Sequence, residues 1–395
     1  MSATARLGTA RRATVVQAIV LLAAACMPVM AATLITPVLP QMLEHFAGVA
    51  GSAVLVPLLI SAPALMVAVF APFAGQIVDR VGRKWLLVIA LVAYAALGII
   101  PAMIDGLPAI LVSRLVLGIC ESAIMTVATA LVVDYFHEEQ RRSRYLGLQA
   151  AASSIGATVF IVVGTAVGAA GWQAPFWAYL VSLVIAVAAV ALLWEPRSGQ
   201  AVSAAERGRI PWGDLAGPLL AAIVGGLTFY TLVVNLPVVV EQAGVEASNT
   251  AVIGGTAAVA SLFVAIGGIL FPQAKRLLGD RVVPAGFGLQ AIGMILLWAL
   301  SGLGVGGVMP GALIASFGAG LLLPGFLTWI VARTVFAERG RVTGLWTAAF
   351  FLGNFLAPIV ANGLGAALGG LAGAIGIIGA LAAVLSLVTF RMKRA

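Results

Sequence analysis

Residues 145–194 read YLGLQAAASSIGATVFIVVGTAVGAAGWQAPFWAYLVSLVIAVAAVALLW, without one Asp, Glu, Lys or Arg. A hydrocarbon core about 30 Å thick takes about 20 helical residues, so this block is too long for one crossing and right for two. Its middle, Gly171-Trp172-Gln173-Ala174-Pro175, breaks a helix. Unsatisfied backbone does not persist in lipid, so the break marks a hairpin at the membrane surface. Residues 282–332 and 342–390 repeat the pattern, with breaks at Ser301-Gly302-Leu303-Gly304 and Leu368-Gly369-Gly370.

The charges frame these blocks. Of the 22 Lys and Arg, all but one fall in seven clusters: Arg6/Arg11/Arg12, Arg80/Arg83/Lys84, Arg141/Arg142/Arg144, Arg197/Arg207/Arg209, Lys275/Arg276/Arg281, Arg333/Arg339/Arg341 and Arg391/Lys393/Arg394. Cationic loops stay on the cytoplasmic side. Clusters after every second apolar span therefore predict twelve transmembrane helices with both termini inside. The spans expected are 13–36, 52–74, 85–104, 108–133, 145–168, 172–194, 215–239, 250–272, 283–301, 308–332, 343–365 and 370–390. Their solid apolar blocks exclude a β-barrel, whose strands would alternate. The run from Ala13 to Leu43 exceeds the roughly 7–15 apolar residues of a signal peptide and reads as a retained first span.

Composition excludes other classes. At 62% hydrophobic and 9% charged residues, the chain is far from the roughly 25% charge of soluble proteins. The net charge of +8 belongs to loops that face anionic lipid headgroups, so the lipid bilayer is the partner and nucleic acid is not. Cys26 and Cys120 fall inside spans and build neither a disulfide framework nor a metal site. His45 and His137 lack a second ligand at metal spacing, and Gly302/Gly304/Gly307 match G-x-G-x-x-G without a surrounding βαβ unit. No nucleophile–base set is present, so an enzyme is not expected.

The polar stretch 195–212 divides the chain into an N-terminal six-helix bundle (1–194) and a C-terminal one (213–395), joined by a cytoplasmic linker. An offset of 197 pairs Gln76 with Gln273, Gly82 with Gly279, Lys84 with Arg281, Arg144 with Arg341, Gly147 with Gly344, Gly156 with Gly353 and Gly168 with Gly365. Internal duplication of this kind builds many secondary transporters, whose binding site lies near the midplane between halves.

The loop after the second span reads Gly75-Gln76-Ile77-Val78-Asp79-Arg80-Val81-Gly82-Arg83-Lys84. It resembles the G-x-x-x-D-R-x-G-R-K signature between helices two and three of the major facilitator superfamily, at the place where that family carries it. Gly75 lets the helix end tightly, Gly82 permits a turn, and Asp79 is an acid among cations. The resemblance implies a cytoplasmic gate of Gly75, Asp79, Arg80, Gly82, Arg83 and Lys84, in which the Asp faces the start of helix eleven. A plain topogenic loop is the alternative.

Arg114 is the one basic residue outside the clusters, and it lies within the fourth span. Arg114-Leu115-Val116-Leu117-Gly118 is similar to the R-x-x-x-G pattern in helix four of proton-coupled members, with Leu117 where a Gln is common. Glu121 lies seven residues on, on nearly the same face and about 10 Å along the axis. Charges inside spans are costly and face a wet cavity or a partner. Burial and a nearby cation act oppositely on a carboxyl's proton affinity, so Glu121 and Arg114 are the candidates for proton coupling. A structural Arg–Glu or Arg–backbone contact is the competing reading.

Gly164-Thr165-Ala166-Val167-Gly168 falls where antiporter members carry G-P-x-x-G, with Thr165 replacing the proline. Gly164 and Gly168 form a small-residue face for packing between halves. Phe351-Leu352-Gly353-Asn354-Phe355-Leu356-Ala357-Pro358 looks like the span-eleven segment of bacterial drug:proton antiporters of twelve helices, which makes Asn354 and Pro358 packing candidates. In that family spans one, four, seven and ten line the cavity, so Met27, Met30, Thr33, Gly118, Tyr230, Asn235, Phe326 and Trp329 are the candidate substrate contacts. The resemblance implies an all-α major facilitator fold and a monomeric secondary transporter with no cofactor beyond the proton gradient. It would export hydrophobic or amphipathic small molecules by alternating access. A proton symporter or facilitator for a small metabolite is the alternative.

Overall fold

A computed structural model describes residues 13–136, 138–196, 212–334 and 339–392; side chains at 74–81, 143, 331, 339 and 340 lie outside the description. The described residues form α-helices and short 3-10 turns, with no strand among them. The first half holds α1 (Val15–Thr33), α2 (Leu39–His45), α3 (Ser52–Val81), α4 (Lys84–Gly98), α5 (Ile100–Met103), α6 (Leu107–Tyr135), α7 (Glu139–Gly168) and α8 (Val181–Leu192). The second holds α9 (Trp212–Gln242), α10 (Thr250–Leu278), α11 (Val282–Leu300), α12 (Val305–Val331), α13 (Arg339–Leu368) and α14 (Leu371–Arg391).

Eleven helical stretches among the described residues are long and apolar enough to cross a membrane. One of them, Thr250–Leu303, is 54 residues long, about twice what a crossing needs. It breaks at Gly279, whose φ of +56° a side chain would resist. Split there, the succession is consistent with twelve passes. The hairpins expected from sequence turn at Gly171, Gly304 and Gly369, all at positive φ.

Helix starts and bends have local causes. At α1, Thr14 Oγ1 accepts from the Val16 amide at 3.4 Å while Gln17 Oε1 accepts from the Thr14 amide at 2.9 Å. Each side chain satisfies a donor that the first turn leaves free. The first span is longer than expected: beyond Thr33 it passes through a 3-10 turn at Thr36–Val38, set by Pro37, into α2 and reaches His45. The sixth span opens as a 3-10 segment, Ala174–Leu180, with Pro175 near its start.

Packing partners repeat between the halves. α1 packs on α7 as α9 does on α13, α3 on α6 as α10 on α12, α4 on α6 as α11 on α12, and α4 on α8 as α11 on α14. The repeat reaches single contacts: a Cβ on Gly156 would meet Cys26, and one on Gly353 would meet the backbone of Ile223. Both members of the second pair lie 197 residues beyond the first.

Two seams join the halves, α3 against α13 and α7 against α10. On α7–α10, Gly254 lies against the Thr165 side chain, Ile161 packs with Ala257 and Ala258, and Thr158 and Ser261 share a hydrogen bond of 3.3 Å. These contacts lie toward the face opposite the basic loops. Nearer the basic face, Leu148 and Ile155 of α7 and Leu270 and Leu277 of α10 are exposed. At the far face the Thr36–Val38 turn and α2 pack against α9. The α7–α10 contacts thus lie away from the basic clusters, while the α3–α13 seam reaches toward them, with Gly344 against the Ala71–Pro72 backbone.

Gly353→Val drives two methyls into the Ile223 backbone and should cost about 1–3 kcal/mol. The expected result is a lower thermal midpoint for detergent-purified protein. Gly147→Ala, where a Cβ meets nothing within 4 Å, should leave the midpoint unchanged or raise it.

Candidate functional site

α6 carries both charged residues of the membrane interior. Arg114 is 0% exposed and Glu121 is 3% exposed. A guanidinium taken out of water loses several kcal/mol of hydration that new partners must replace. Arg114 Nη1 donates to Tyr179 Oη at 2.8 Å and Nη2 donates to the Gly98 carbonyl at 3.3 Å. Its Cζ lies 4.8 Å from the Phe176 ring centre and 5.0 Å from that of Tyr179. Desolvated contacts of this type each contribute up to about 2 kcal/mol. The 3-10 segment Ala174–Leu180 supplies both rings. Gly98 supplies the carbonyl, and a Cβ there would sit inside the Tyr179 ring.

The box reaches other spans. Tyr179 Oη donates onward to the Ala31 carbonyl of α1 at 3.4 Å, and Tyr94 Oη of α4 donates to the Met27 carbonyl at 2.5 Å. The Tyr94 and Tyr179 rings are 5.2 Å apart. Glu121 stands apart from this network: its Oε1 is buried without a hydrogen-bond partner. No ion pair joins it to Arg114 among the described residues. The direct Arg–Glu contact weighed from sequence is thus replaced by an Arg–backbone and Arg–tyrosine set.

The cavity candidates divide into two groups. Met27, Met30 and Tyr230 belong to the same buried cluster as the residues around Arg114. Tyr230 Oη donates across the halves to the Ile60 carbonyl of α3 at 3.0 Å. Thr33 Oγ1 and Asn235 Nδ2 donate to carbonyls one turn back on their own helices, those of Val29 and Thr231. Phe326 and Trp329 sit elsewhere, in an apolar cluster of the second half with Phe287 and Phe271. Phe326 packs edge-on to Phe287 at 5.6 Å and against Gly225. Gly118 lies directly against the Pro63 backbone of α3, so it serves a helix crossing and not an open wall.

The packing glycines also find different partners. Gly164 meets the Leu34 carbonyl and Gly168 meets Val38, both in the first span of the same half. Thr165 makes the contact between halves. Asn354, with its amide nitrogen turned toward them, donates to the Gly226 and Phe350 carbonyls at 3.1 and 3.2 Å. Pro358 lends its carbonyl to Asn362 Nδ2 at 2.8 Å.

At the basic face the side chains of Asp79 and Arg80, with Gly75, fall among residues 74–81, outside the described side chains. Gly82 turns the chain at φ +90°. Beyond it, Glu195 caps α4: its oxygens accept from the Arg83 amide at 2.6 Å and the Lys84 amide at 2.9 Å. Helix N-termini favour such anions. The Arg83 side chain pairs with Asp134 at the end of α6, and Lys84 Nζ donates to the Val190 carbonyl at 2.8 Å. Tyr135 stacks on Trp194, accepts from its amide at 2.9 Å and donates to its carbonyl at 2.6 Å. Sequence reasoning passed over Glu195, Asp134, Tyr135, Trp194, Tyr179 and Phe176. The available signal was that Asp134-Tyr135 and Trp194-Glu195 each end an apolar span beside the gate loop.

The family profile of the Major Facilitator Superfamily matches residues 20–303. The class D tetracycline resistance protein of Salmonella ordonez is 26% identical over 360 residues, 87% of this chain and 88% of that protein. A triacylglyceride transporter of Mycolicibacterium hassiacum is 31% identical over 158 residues, 40% of this chain and 28% of that protein. The chain thus matches well under two thirds of that relative's length. Among solved structures, a bacterial homologue of the human lysosomal transporter Spinster, in an inward-facing and occupied conformation, superposes with a TM-score of 0.76. The identity is 16%, with 95% of this chain and 96% of that one covered, a likeness of fold. With a family match over most of its length and apolar helices throughout, this chain belongs to the Major Facilitator Superfamily and is a multi-pass membrane protein.

Proposed function

We propose that the protein is a proton-coupled exporter of hydrophobic or amphipathic small molecules, working by alternating access in a bacterial inner membrane with both termini cytoplasmic. The observation that carries this reading is Glu121, a carboxyl buried on the fourth span with one oxygen unpaired and Tyr230 of the seventh span within electrostatic reach. A buried carboxyl with one oxygen outside any hydrogen bond and no direct ion pair among the described residues can gain or lose a proton as access alternates. One proton moving down 100 mV yields about 2.3 kcal/mol, enough to sustain a useful gradient of cargo. The surroundings are apolar, with few free hydrogen-bonding groups, which suits lipophilic cargo over sugars. The full-length similarity to a tetracycline resistance protein supports export.

The substrate is first sought by growth of an expressing strain across a panel of dyes and antibiotics including ethidium and tetracycline. With the best-exported compound in proteoliposomes, Glu121→Gln should abolish substrate-driven proton movement while leaving substrate binding within a few-fold. Proton movement at the wild-type rate would remove Glu121 from the mechanism.

The gate loop is proposed to latch the basic face shut, Asp79 against the start of α13 and Glu195 holding the loop from the other side. In a variant without native cysteines and with Ala257→Cys in the α7–α10 seam, Asp79→Asn should slow labelling by a maleimide added from outside several-fold. Glu195→Ala should act in the same direction and lower the thermal midpoint, a lost helix cap costing about 0.5–2 kcal/mol. Unchanged labelling in both variants would rule out the latch.

A further inference from the structure

We propose that Tyr179 is a positioning residue, whose hydroxyl and ring hold the Arg114 guanidinium against the Gly98 carbonyl and away from Glu121. The proposal rests on the reading of Glu121 as the coupling carboxyl only for its effect on transport; the geometry stands apart from it. Four observations converge on the same side chain. Tyr179 Oη accepts from Arg114 Nη1, its ring carries the guanidinium on its face, Gly98 is packed on that ring, and its hydroxyl continues to α1 at Ala31. Arg114 has a free Nε and a flexible stem, and Glu121 has a free Oε1, on one face of the same helix. Without the tyrosine hydroxyl the guanidinium loses one of its two hydrogen-bond acceptors. The nearest anion then becomes its natural replacement, since hydrogen bonds to charged partners are the stronger ones.

The position of that cation sets how readily Glu121 exchanges its proton. The other titratable groups within electrostatic reach of Glu121 are Cys120 on α6, Tyr94 on α4, Tyr179 itself and Tyr230 on α9. α1 brings the Cys26 thiol and no charge. The described side chains of α3 and residues 145–168 of α7 include no charged residue. Arg114 is therefore the cation that matters at that level, and Tyr179 decides where it rests.

The test reads Glu121 directly. Dicyclohexylcarbodiimide reacts with protonated carboxyls in apolar sites, and peptide mass spectrometry of detergent-purified protein follows labelling of Glu121 against pH, with Glu121→Gln as the blank. Tyr179→Phe keeps the ring and removes only the hydroxyl. It should displace the labelling midpoint by 0.5 pH unit or more, and the displacement should vanish in an Arg114→Gln background, because Tyr179 acts through Arg114. Should Tyr179→Phe fail to fold, 3,5-difluorotyrosine installed at position 179 keeps both ring and hydroxyl, weakens the acceptor, and should displace the midpoint in the same direction. A midpoint within 0.2 unit of wild type in the folded variant, or an equal displacement with and without Arg114, would overturn the proposal. A displaced midpoint together with proton exchange indifferent to Glu121→Gln would keep Tyr179's role and sink the transport reading; the reverse pair of results separates them the other way.

Discussion

A guanidinium buried in hydrocarbon has to find hydrogen-bond acceptors and polarizable faces before the helix that carries it is stable there. Arg114 finds two acceptors and two aromatic faces from two other spans, the third and the sixth. That need explains features that otherwise look unrelated. The sixth span begins as a 3-10 segment, which brings Phe176 and Tyr179 onto the same guanidinium. The fourth span is also anchored to the third, through the Gly98 carbonyl. The first half is thereby assembled around its one interior cation, and moving that cation disturbs α1, α4 and α6 together.

The seams between halves obey a different rule. Helices in lipid gain nothing from hydrophobic exclusion against each other, so close backbone approach and small side chains carry their association. On α7–α10 the contacting residues are Thr165, Ile161, Thr158, Gly254, Ala257, Ala258 and Ser261. One hydrogen bond and a few small residues make a contact that is specific in register and weak enough to part. The residue standing where antiporter relatives carry a proline, Thr165, is the one seated on Gly254. The substitution that weakens the family motif thus supplies a contact between halves.

The sequence was informative wherever charge or backbone geometry acts locally. Basic clusters at helix ends, uncharged double-length blocks and glycine turns are all properties of neighbouring residues, and the helices follow them. Rotation of a helix about its axis is another matter. In spans apolar on every side, no polar stripe says which face turns inward, so Phe326 and Trp329 read as cavity residues although they pack inside the second half. Gly164 and Gly168 were legible as a close-packing pair but not their partner, because Leu34 and Val38 lie more than a hundred residues away. The arginine box joins Gly98, Arg114 and Tyr179 through tertiary contact alone. Glu195 was taken as the start of a linker, since nothing near it in sequence shows that it caps α4.

The duplication sharpens what the charged pair means. Under the offset of 197, Arg114 corresponds to Gly311, Glu121 to Gly318 and Tyr179 to Gly376. All three second-half positions are glycines packed tightly against neighbouring helices: Gly311 on Leu297, Gly318 on Gly286 and Gly376 on Trp298. The second half thus solves the same helix crossings with close contact and no charge. The scaffold therefore does not require an arginine, a carboxyl or a tyrosine at these places. Their presence in the first half costs desolvation that the fold does not need, and a cost of that kind points to a task the second half does not share.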